Sequence, residues 1–210
     1  MLEVRVDQFR KFDLPYVLKQ FQKFKRAGLP LLGTVRSPKE GGNPVLSDAQ
    51  RKTLFLEIIP YLDWVDIELS SKSLLSLVVS ESRKNKTGVV FSFHDFKKTP
   101  SLSFLEKLLE QRRRYNKAAD AHADLLKIAV HAKNKEDVQR LFTFTLKNHS
   151  TGLITISMGQ VGMLSRIFFA LAGSQWTYTF LSKASAPGQI SLKELSPLIQ
   201  KFYREEPGKL

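Results

Sequence analysis

Lys127 is the residue of this sequence whose surroundings most favour covalent chemistry. It lies within residues 125–130, an apolar run typical of a buried strand. Burial destabilises a charged ammonium group, so a neutral amine is expected to be populated there near neutral pH. A neutral amine is the nucleophile that forms Schiff bases with ketones. The alternative is a lysine near a strand end whose ammonium reaches solvent.

Other predicted strands also have a face with polar side chains, as the strand of Lys127 does. Side chains alternate between the two faces of a strand, so Asp66 and Glu68 oppose Val65 and Ile67. The polar faces together collect an amine, an imidazole, carboxylates and guanidiniums, namely Glu3, Arg5, Arg36, Asp66, Glu68, His94 and Lys127. Buried charges persist only when paired, so this convergence predicts a functional site, with a purely structural ion network as the alternative.

The elements that must position these residues alternate along the sequence. Seven strands are predicted, at residues 2–7, 30–36, 64–69, 88–94, 125–130, 153–159 and 176–181. Helical patterns lie at residues 14–27, 47–61 with Ser47 as N-cap, 74–83, 104–119, 135–147, 163–172 and 192–203. Strand followed by helix at this spacing indicates βαβ units, a parallel sheet and the α/β class.

The faces of the strands favour a barrel over an open, doubly wound sheet. A doubly wound sheet has helices on both faces and favours apolar residues on both. A barrel has helices only outside, so polar groups converge inside toward its C-terminal mouth. Five predicted strands have one apolar and one polar face, including residues 153–159 with Thr155 and Ser157 on the polar face. We therefore expect a TIM-type (β/α)8 barrel, with Arg166 near its mouth or, alternatively, on the surface.

The composition predicts a single globular domain over residues 1–210. Hydrophobic residues make up 42% and charged residues 25%, which argues against disorder. No apolar stretch reaches about 18 residues, and residues 1–7 do not resemble a signal peptide. Because the sequence contains no Cys, thiolate chemistry is excluded and a cytoplasmic location is expected.

The net charge of +13 could indicate nucleic acid, an anionic surface or a small anionic substrate. The basic residues are scattered over the predicted helices, and no nucleic-acid-binding signature accompanies them. We expect a small anionic substrate and neither a nucleic-acid nor a membrane partner. No strand is followed by a phosphate-binding glycine motif, and the His residues lack metal-ligand spacing, so neither a cofactor nor a metal is predicted.

Seven segments, taken in order, carry a resemblance to a known family. They are EVRVD (3–7), TVRSPKEGG (34–42), DIEL (66–69), SFHDF (92–96), LKIA (126–129), SMGQVGMLSR (157–166) and ASAPGQ (184–189). They resemble type I 3-dehydroquinate dehydratase, a Schiff-base enzyme of the shikimate pathway. Each motif alone is moderately specific, whereas their common order makes the resemblance specific.

The resemblance implies a cofactor-free lyase that converts 3-dehydroquinate to 3-dehydroshikimate in aromatic amino acid biosynthesis. Lys127 would form an imine with the C3 ketone, which makes the adjacent C2 proton removable. His94 would remove that proton and then protonate the leaving hydroxyl in a syn elimination. Glu40 would orient His94 and assist these steps, although a loop carboxylate of this kind is also compatible with a plain surface position.

The resemblance also implies roles in substrate binding. Glu3, Arg5 and Arg36 would hold the ring hydroxyls, and the fork of Arg166 would clamp the carboxylate.

Further implied residues lie behind the substrate and above it. Asp66 and Glu68 resemble carboxylates that support the site, and one of them would offset the charge of the iminium. Ser185 and Gln189 lie in residues 182–189, a loop that closes over bound substrate and excludes water in the family. A homodimer is expected from the same resemblance.

The sequence departs from the family at its N-terminus. A (β/α)8 barrel has eight strands and about 250 residues, whereas seven strands are predicted here. Because EVRVD resembles the family's second strand, the first β/α unit is expected to be missing. This predicts either a start site placed too late, with about 30–40 further residues upstream, or a truncated and poorly active chain.

Two other functions stay open at this point. One is another Schiff-base lyase or aldolase, which is not expected to carry the loop at residues 185–189. The other is a truncated, non-catalytic or partly active barrel that serves as a binding module. The presence of His94, Lys127 and Arg166 together argues against the binding module, because such a module has no chemical reason to keep a buried lysine.

Overall fold

A computed structural model describes residues 1–42, 46–115, 124–182, 184 and 186–203. In this part of the chain six strands are present: β1 (Leu2–Arg5), β2 (Leu31–Thr34), β3 (Trp64–Glu68), β4 (Gly88–Asp95), β5 (Leu125–His131) and β6 (Leu153–Met158). The α-helices are α1 (Leu14–Arg26), α2 (Asp48–Ile58), α3 (Lys72–Lys84), α4 (Leu102–Arg113), α5 (Lys135–Lys147), α6 (Ser165–Phe168) and α7 (Leu192–Tyr203). The predicted α/β class is confirmed.

The strands form one sheet whose order follows the sequence, β1-β2-β3-β4-β5-β6. β1 runs parallel to β2, with Leu2 opposite Leu31 and Arg5 opposite Thr34. β3 is parallel to both β2 and β4. Parallel neighbours require a crossover connection, which α1, α2 and α3 supply in turn. The carboxyl ends of β1 to β4 therefore lie at the same edge of the sheet.

Local signals in the sequence account for the start of helix α2. The Ser47 side chain accepts a hydrogen bond from the Gln50 backbone, and the Gln50 side chain accepts one from the Ser47 backbone. This reciprocal capping box satisfies two backbone donors of the first turn, and it confirms the predicted N-cap. The buried side of α2 consists of Arg51, Leu54, Phe55 and Ile58. One charged residue thus lies on an otherwise apolar face.

The chain divides into two compact units. The first consists of Met1–Phe93 and Glu106–Lys127, and the second of His94–Leu105 and Ile128–Leu210. The first contains β1 to β3 with α1 to α3, and the second contains β6 with α5 to α7. The single-domain prediction stays a prediction.

The seventh predicted strand, residues 176–181, is wrong. Among the described residues this segment makes only an isolated bridge, between Phe180 and Ser191. The carbonyl of Tyr178 accepts from the Arg166 side chain, and the Thr179 hydroxyl donates to the carbonyl of Ile190. These partners replace the regular ladder that a strand needs.

The prediction that Thr155 lies on the face of its strand opposite to the helices is also wrong. The hydroxyls of Thr155 on β6 and Thr145 on α5 are 2.8 Å apart, so Thr155 faces the helix and not the side opposite to it. Ser157 shares its face of the strand. A hydroxyl partner on α5 allows a polar side chain to be buried under a helix.

The remaining boundaries differ from prediction by a few residues, with one larger change. The helix predicted at residues 163–172 is the short α6 followed by a 3-10 turn, Phe169–Ala172. The helix predicted at residues 104–119 is α4, and residues 116–119 lie outside the described part of the chain.

Candidate active site

The segment after β2 is shaped by a short turn. The 3-10 turn Pro38–Glu40 is capped by Ser37, whose carbonyl accepts from the backbone N–H groups of Glu40 and Gly42, each at 2.9 Å. Gly41 has φ of +85°, a conformation that favours glycine. A Cβ atom on Gly42 would lie 2.2 Å from the Arg36 carbonyl oxygen. The two glycines therefore allow the chain to fold back on Arg36.

Lys127 is buried and ion-paired. Only 4% of its surface is exposed, and its Nζ donates to Oδ2 of Asp66 at 2.6 Å. The other oxygen of Asp66 accepts from the Ser92 hydroxyl at 2.6 Å and from Nη1 of Arg36 at 3.0 Å. The buried Nζ thus lies next to a carboxylate whose other oxygen is held by two further donors. The predicted burial of Lys127 is confirmed.

Arg36 connects the two carboxylates of β3. Its Nη1 also donates to Oε1 of Glu68 at 2.7 Å and to the Ser92 hydroxyl at 2.9 Å. Burial by itself would lower the pKa of Arg36, but Asp66 and Glu68 outweigh it and raise that pKa above its ordinary value. Its Nε and Nη2 have no hydrogen-bond partner among the described residues, which leaves two donors for a ligand.

Glu68 is bound from both sides. Its Oε1 accepts from Arg36 and from the Ser37 backbone at 2.9 Å. Its Oε2 accepts from Nη2 of Arg51 at 2.5 Å and from the Ser71 hydroxyl at 2.8 Å. Charges of alternating sign thus form a series, Lys127, Asp66, Arg36, Glu68 and Arg51, which we call the buried charge network. All five side chains belong to the first unit.

Other predicted site residues of the first unit lie along β1. Oε1 of Glu3 accepts from the Thr34 hydroxyl at 2.9 Å. Arg5 makes two hydrogen bonds to the fully buried Asp7, at 2.9 and 2.7 Å. Asp7 also accepts from the Arg36 backbone at 3.2 Å. Glu3 adds to the raised pKa of Arg36 through its charge, so these groups share one electrostatic environment.

Glu40 is not a surface carboxylate. Only 6% of it is exposed, and its Oε1 accepts from the Ser70 hydroxyl at 2.5 Å. Glu40 is the last residue of the capped turn Pro38–Glu40, and its position in that turn is buried.

His94 and Arg166 belong to the second unit. His94, next to last in β4, is half-buried, and its ring stacks on Phe96 with centroids 6.3 Å apart. Arg166 is buried, with 3% of its surface exposed. This excludes the surface alternative for Arg166.

The partners of Arg166 are backbone carbonyls. Its Nε donates to Gly188 at 2.6 Å, Nη1 to Tyr178 at 3.1 Å and Nη2 to Pro187 at 3.4 Å. No carboxylate among the described residues pairs with it. Burial lowers the pKa of Arg166 to about 10. The guanidinium is thus a buried cation that has no anionic partner within the described chain. It donates hydrogen bonds to the carbonyls of residues 187–188.

The loop at residues 182–189 is partly described. The Gln189 side chain accepts from the Ala186 backbone at 3.3 Å, which closes a turn. A Cβ atom on Gly188, with φ of +71°, would lie 2.6 Å from the Gly159 carbonyl oxygen, so the loop meets the end of β6 closely. Ser185 lies outside the described residues.

Comparison with known proteins decides the family. The family model described as Type I 3-dehydroquinase matches residues 1–205. The chain belongs to the type I 3-dehydroquinase family. The 3-dehydroquinate dehydratase of Aquifex aeolicus strain VF5 is 38% identical over 204 residues, covering 97% of this chain and 88% of that protein. The enzyme of Hydrogenobaculum sp. strain Y04AAS1 is 36% identical, with the same coverages.

Solved structures agree with the family. The 3-dehydroquinate dehydratase of Geobacillus kaustophilus HTA426 superposes with a TM-score of 0.88 at 30% identity, covering 98% of this chain and 82% of that one. The type I enzyme of Clostridium difficile, solved with covalent modified comenic acid, gives 0.86 at 32% identity, with coverages of 96% and 81%.

Arg51 and Ser92 of this type I 3-dehydroquinase were not predicted as site residues. Arg51 has a signal, because it shares a helical face with Leu54, Phe55 and Ile58. A charged residue on such a face is buried, and a buried charge needs a partner. Ser92 shares a strand face with His94, which places it among polar groups but does not identify its partners.

Two negative findings concern the described residues of this type I 3-dehydroquinase. No helix among them has the length and apolarity that crossing a membrane requires. Within the same part of the chain, no group of three or more Asp, Glu or His side chains could hold a metal ion.

Proposed function

We propose that this type I 3-dehydroquinase dehydrates 3-dehydroquinate to 3-dehydroshikimate through an imine on Lys127. The observation that carries the proposal is the buried Nζ of Lys127, held 2.6 Å from Asp66. The lone pair of the neutral amine attacks the C3 ketone to give a carbinolamine, which takes up one proton and loses its hydroxyl as water. The product is an iminium, which withdraws electrons from C2. Oδ2 of Asp66 already lies 2.6 Å from this nitrogen, so its carboxylate offsets the iminium charge at little cost in reorganisation.

The elimination follows from the imine. His94 removes the C2 proton, and the electron pair forms the enamine. The imidazolium then protonates the departing C1 hydroxyl, so that water leaves and a conjugated double bond forms. Water hydrolyses the imine and returns the amine of Lys127. Glu40 is proposed to orient His94, supported by its burial and by its position at the end of the capped turn Pro38–Glu40.

Arginines and loop residues are proposed to bind the substrate. The two open donors of Arg36, together with Glu3 and Arg5, suit ring hydroxyls. Arg166 is a buried cation whose described partners include no anion, which suits the substrate carboxylate. Ser185 and Gln189 are proposed to complete the loop over the bound ring.

Borohydride trapping tests the proposal. Incubation with 3-dehydroquinate and then borohydride should reduce the imine to a stable secondary amine, and peptide mass spectrometry should locate it on Lys127. The Lys127→Met variant should show neither adduct nor turnover. An adduct on another lysine, or turnover without any adduct, would contradict the Schiff-base mechanism. Comenic acid, which is present in covalently modified form in the Clostridium difficile structure, offers a second covalent probe.

Wider features of the family are proposed on the same basis. We propose a (β/α) barrel, supported by the parallel pairing of β1 to β4 and by the likeness to the Geobacillus kaustophilus structure. A homodimer and a cytoplasmic location are proposed from the resemblance and the cysteine-free sequence. Light scattering and cell fractionation test the last two.

A further inference from the structure

Arg51 is a buried cation to which the proposed reaction gives no role. It is fully buried, and all three of its guanidinium nitrogens are engaged. Nε donates to the Val35 carbonyl at 3.0 Å, Nη1 to the Ser71 hydroxyl at 3.0 Å, and Nη2 to Oε2 of Glu68 at 2.5 Å. Its Nη1 also lies 3.2 Å from Oδ1 of Asp48 on its own helix.

The position of Arg51 on α2 indicates a role beyond packing. Leu54, Phe55 and Ile58 form the rest of the buried face, and the Arg51 guanidinium carbon lies 5.7 Å from the centre of the Phe55 ring. Replacement of a buried ion pair by apolar residues is often neutral or stabilising. Apolar residues at positions 51 and 68 together would complete this face and remove the ion pair, so stability alone does not call for an arginine there.

Glu68 is the group through which Arg51 can act on the site. Its Oε2 accepts a hydrogen bond from Arg51, and its Oε1 accepts one from Arg36. Without Arg51, Glu68 would keep Arg36 as its single cationic partner and would attract it more strongly. Arg36 Nη1 now lies 2.7 Å from Glu68 and 3.0 Å from Asp66. Arg36 would then move toward Glu68 and away from Asp66. Its two open donors would turn with it.

We propose that Arg51 is a positioning residue for the substrate. By holding Oε2 of Glu68, it fixes Oε1 and thereby the orientation of the Arg36 guanidinium toward the ligand. Arg51 itself touches neither substrate nor reacting atoms. The inference rests on the proposed function, in which Arg36 contacts the substrate.

Steady-state kinetics of Arg51→Met test this role. Groups that share one ionic network couple by amounts that correspond to about 2- to 100-fold, so KM should rise about tenfold while kcat stays within about threefold. A rise confined to KM is the signature of lost substrate binding. Arg51→Lys, which keeps the charge, should return KM to within about threefold of the wild type.

Arg83→Met is the matched control. Arg83 also pairs with a buried carboxylate of the first unit, Asp124, which precedes β5. Removing Arg83 thus takes one arginine from a buried carboxylate outside the buried charge network. Asp124 still interacts with the charge of Arg112, as Glu68 does with Arg36 in Arg51→Met. The KM of Arg83→Met should match that of the wild type. An equal rise in KM in both variants would show that Arg51→Met acts through general destabilisation, and it would overturn the positioning role.

The Glu68→Gln background decides whether Arg51 acts through Glu68. Glu68→Gln and the double variant Arg51→Met/Glu68→Gln should have equal KM values within about twofold, because the link has already been removed. A further rise in the double variant overturns the role. This comparison does not depend on folding of the single variant Arg51→Met, because the double variant buries no unpaired carboxylate.

Trapping separates this inference from the function on which it rests. Absence of a Lys127 adduct in the wild type would sink the proposed reaction. A trapped wild type together with a folded Arg51→Met of unchanged KM would overturn only the positioning role.

Discussion

Two arginines of this enzyme are equally buried, each with 3% of its surface exposed, but they have opposite surroundings. Arg36 in the first unit lies between the carboxylates of Asp66 and Glu68, which raise its pKa. Arg166 in the second unit is bound, within the described chain, by carbonyls alone, and burial lowers its pKa to about 10. The difference separates a charge that is already compensated within the protein from one that lacks a counterion among the described residues.

The comparison extends to the chemistry assigned to each unit. The first unit would hold the imine at Lys127, whereas the second would supply the proton carrier His94. His94→Ala should lower kcat by about 10²- to 10⁴-fold, because general acid–base catalysis contributes that much. Ultraviolet absorbance of the conjugated product measures the rate, and borohydride trapping should still yield the Lys127 adduct.

Exposed His149 provides the control for this prediction. His149→Ala should turn over at the wild-type rate. Near-normal turnover of His94→Ala would show that another residue removes the C2 proton. Loss of the adduct would show that His94 is also needed for imine formation at Lys127.

Stability sharpens the contrast between the two arginines. Arg36→Met leaves two buried carboxylates short of a partner and should cost about 3–5 kcal/mol of unfolding free energy. Arg166→Met should cost no more than about 1 kcal/mol, because relief from burying an unpaired cation offsets its lost hydrogen bonds. Urea unfolding at constant m-value measures both. Equal costs would show that Arg166 has an anionic partner in the folded protein.

Substrate affinity gives the smallest expected kinetic effect. Arg166→Met should raise KM about 10- to 100-fold, since hydrogen bonds to charged groups contribute about 1.5–3 kcal/mol. The effect on kcat should be smaller, because the carboxylate does not change during the elimination. Arg140→Met is the control in the same unit, where Arg140 pairs with Asp137 at 2.7 Å. An unchanged KM in Arg166→Met would move the carboxylate site elsewhere.

Alternation along β3 was enough to predict from sequence that Asp66 and Glu68 share a face, and burial of Lys127 followed from its apolar run. The same rule failed for Thr155, because alternation separates two faces without stating which one meets a helix. Residues 176–181 have the aromatic and β-branched composition of a strand, yet tertiary partners overrode that propensity.

Other features of the site had no readable signal. The contacts of Arg166 are carbonyls, and every residue carries a carbonyl, so no residue type at positions 178, 187 or 188 indicates the contact. Arg51 had a signal in its helical face, but the identity of its partner depends on how α2 meets β3, which short-range periodicity does not determine.

The buried charge network also has a sequence order with a consequence for how the protein folds. The pairs of Arg51 with Glu68 and of Arg36 with Asp66 and Glu68 span 17, 30 and 32 residues, whereas the pair of Lys127 with Asp66 spans 61. Short loops close at lower entropic cost than long ones. We therefore expect the arginines to pair with both carboxylates first, within one contiguous segment of the chain. On this expectation the amine of Lys127 joins the network last, beside a carboxylate that already has its other partners.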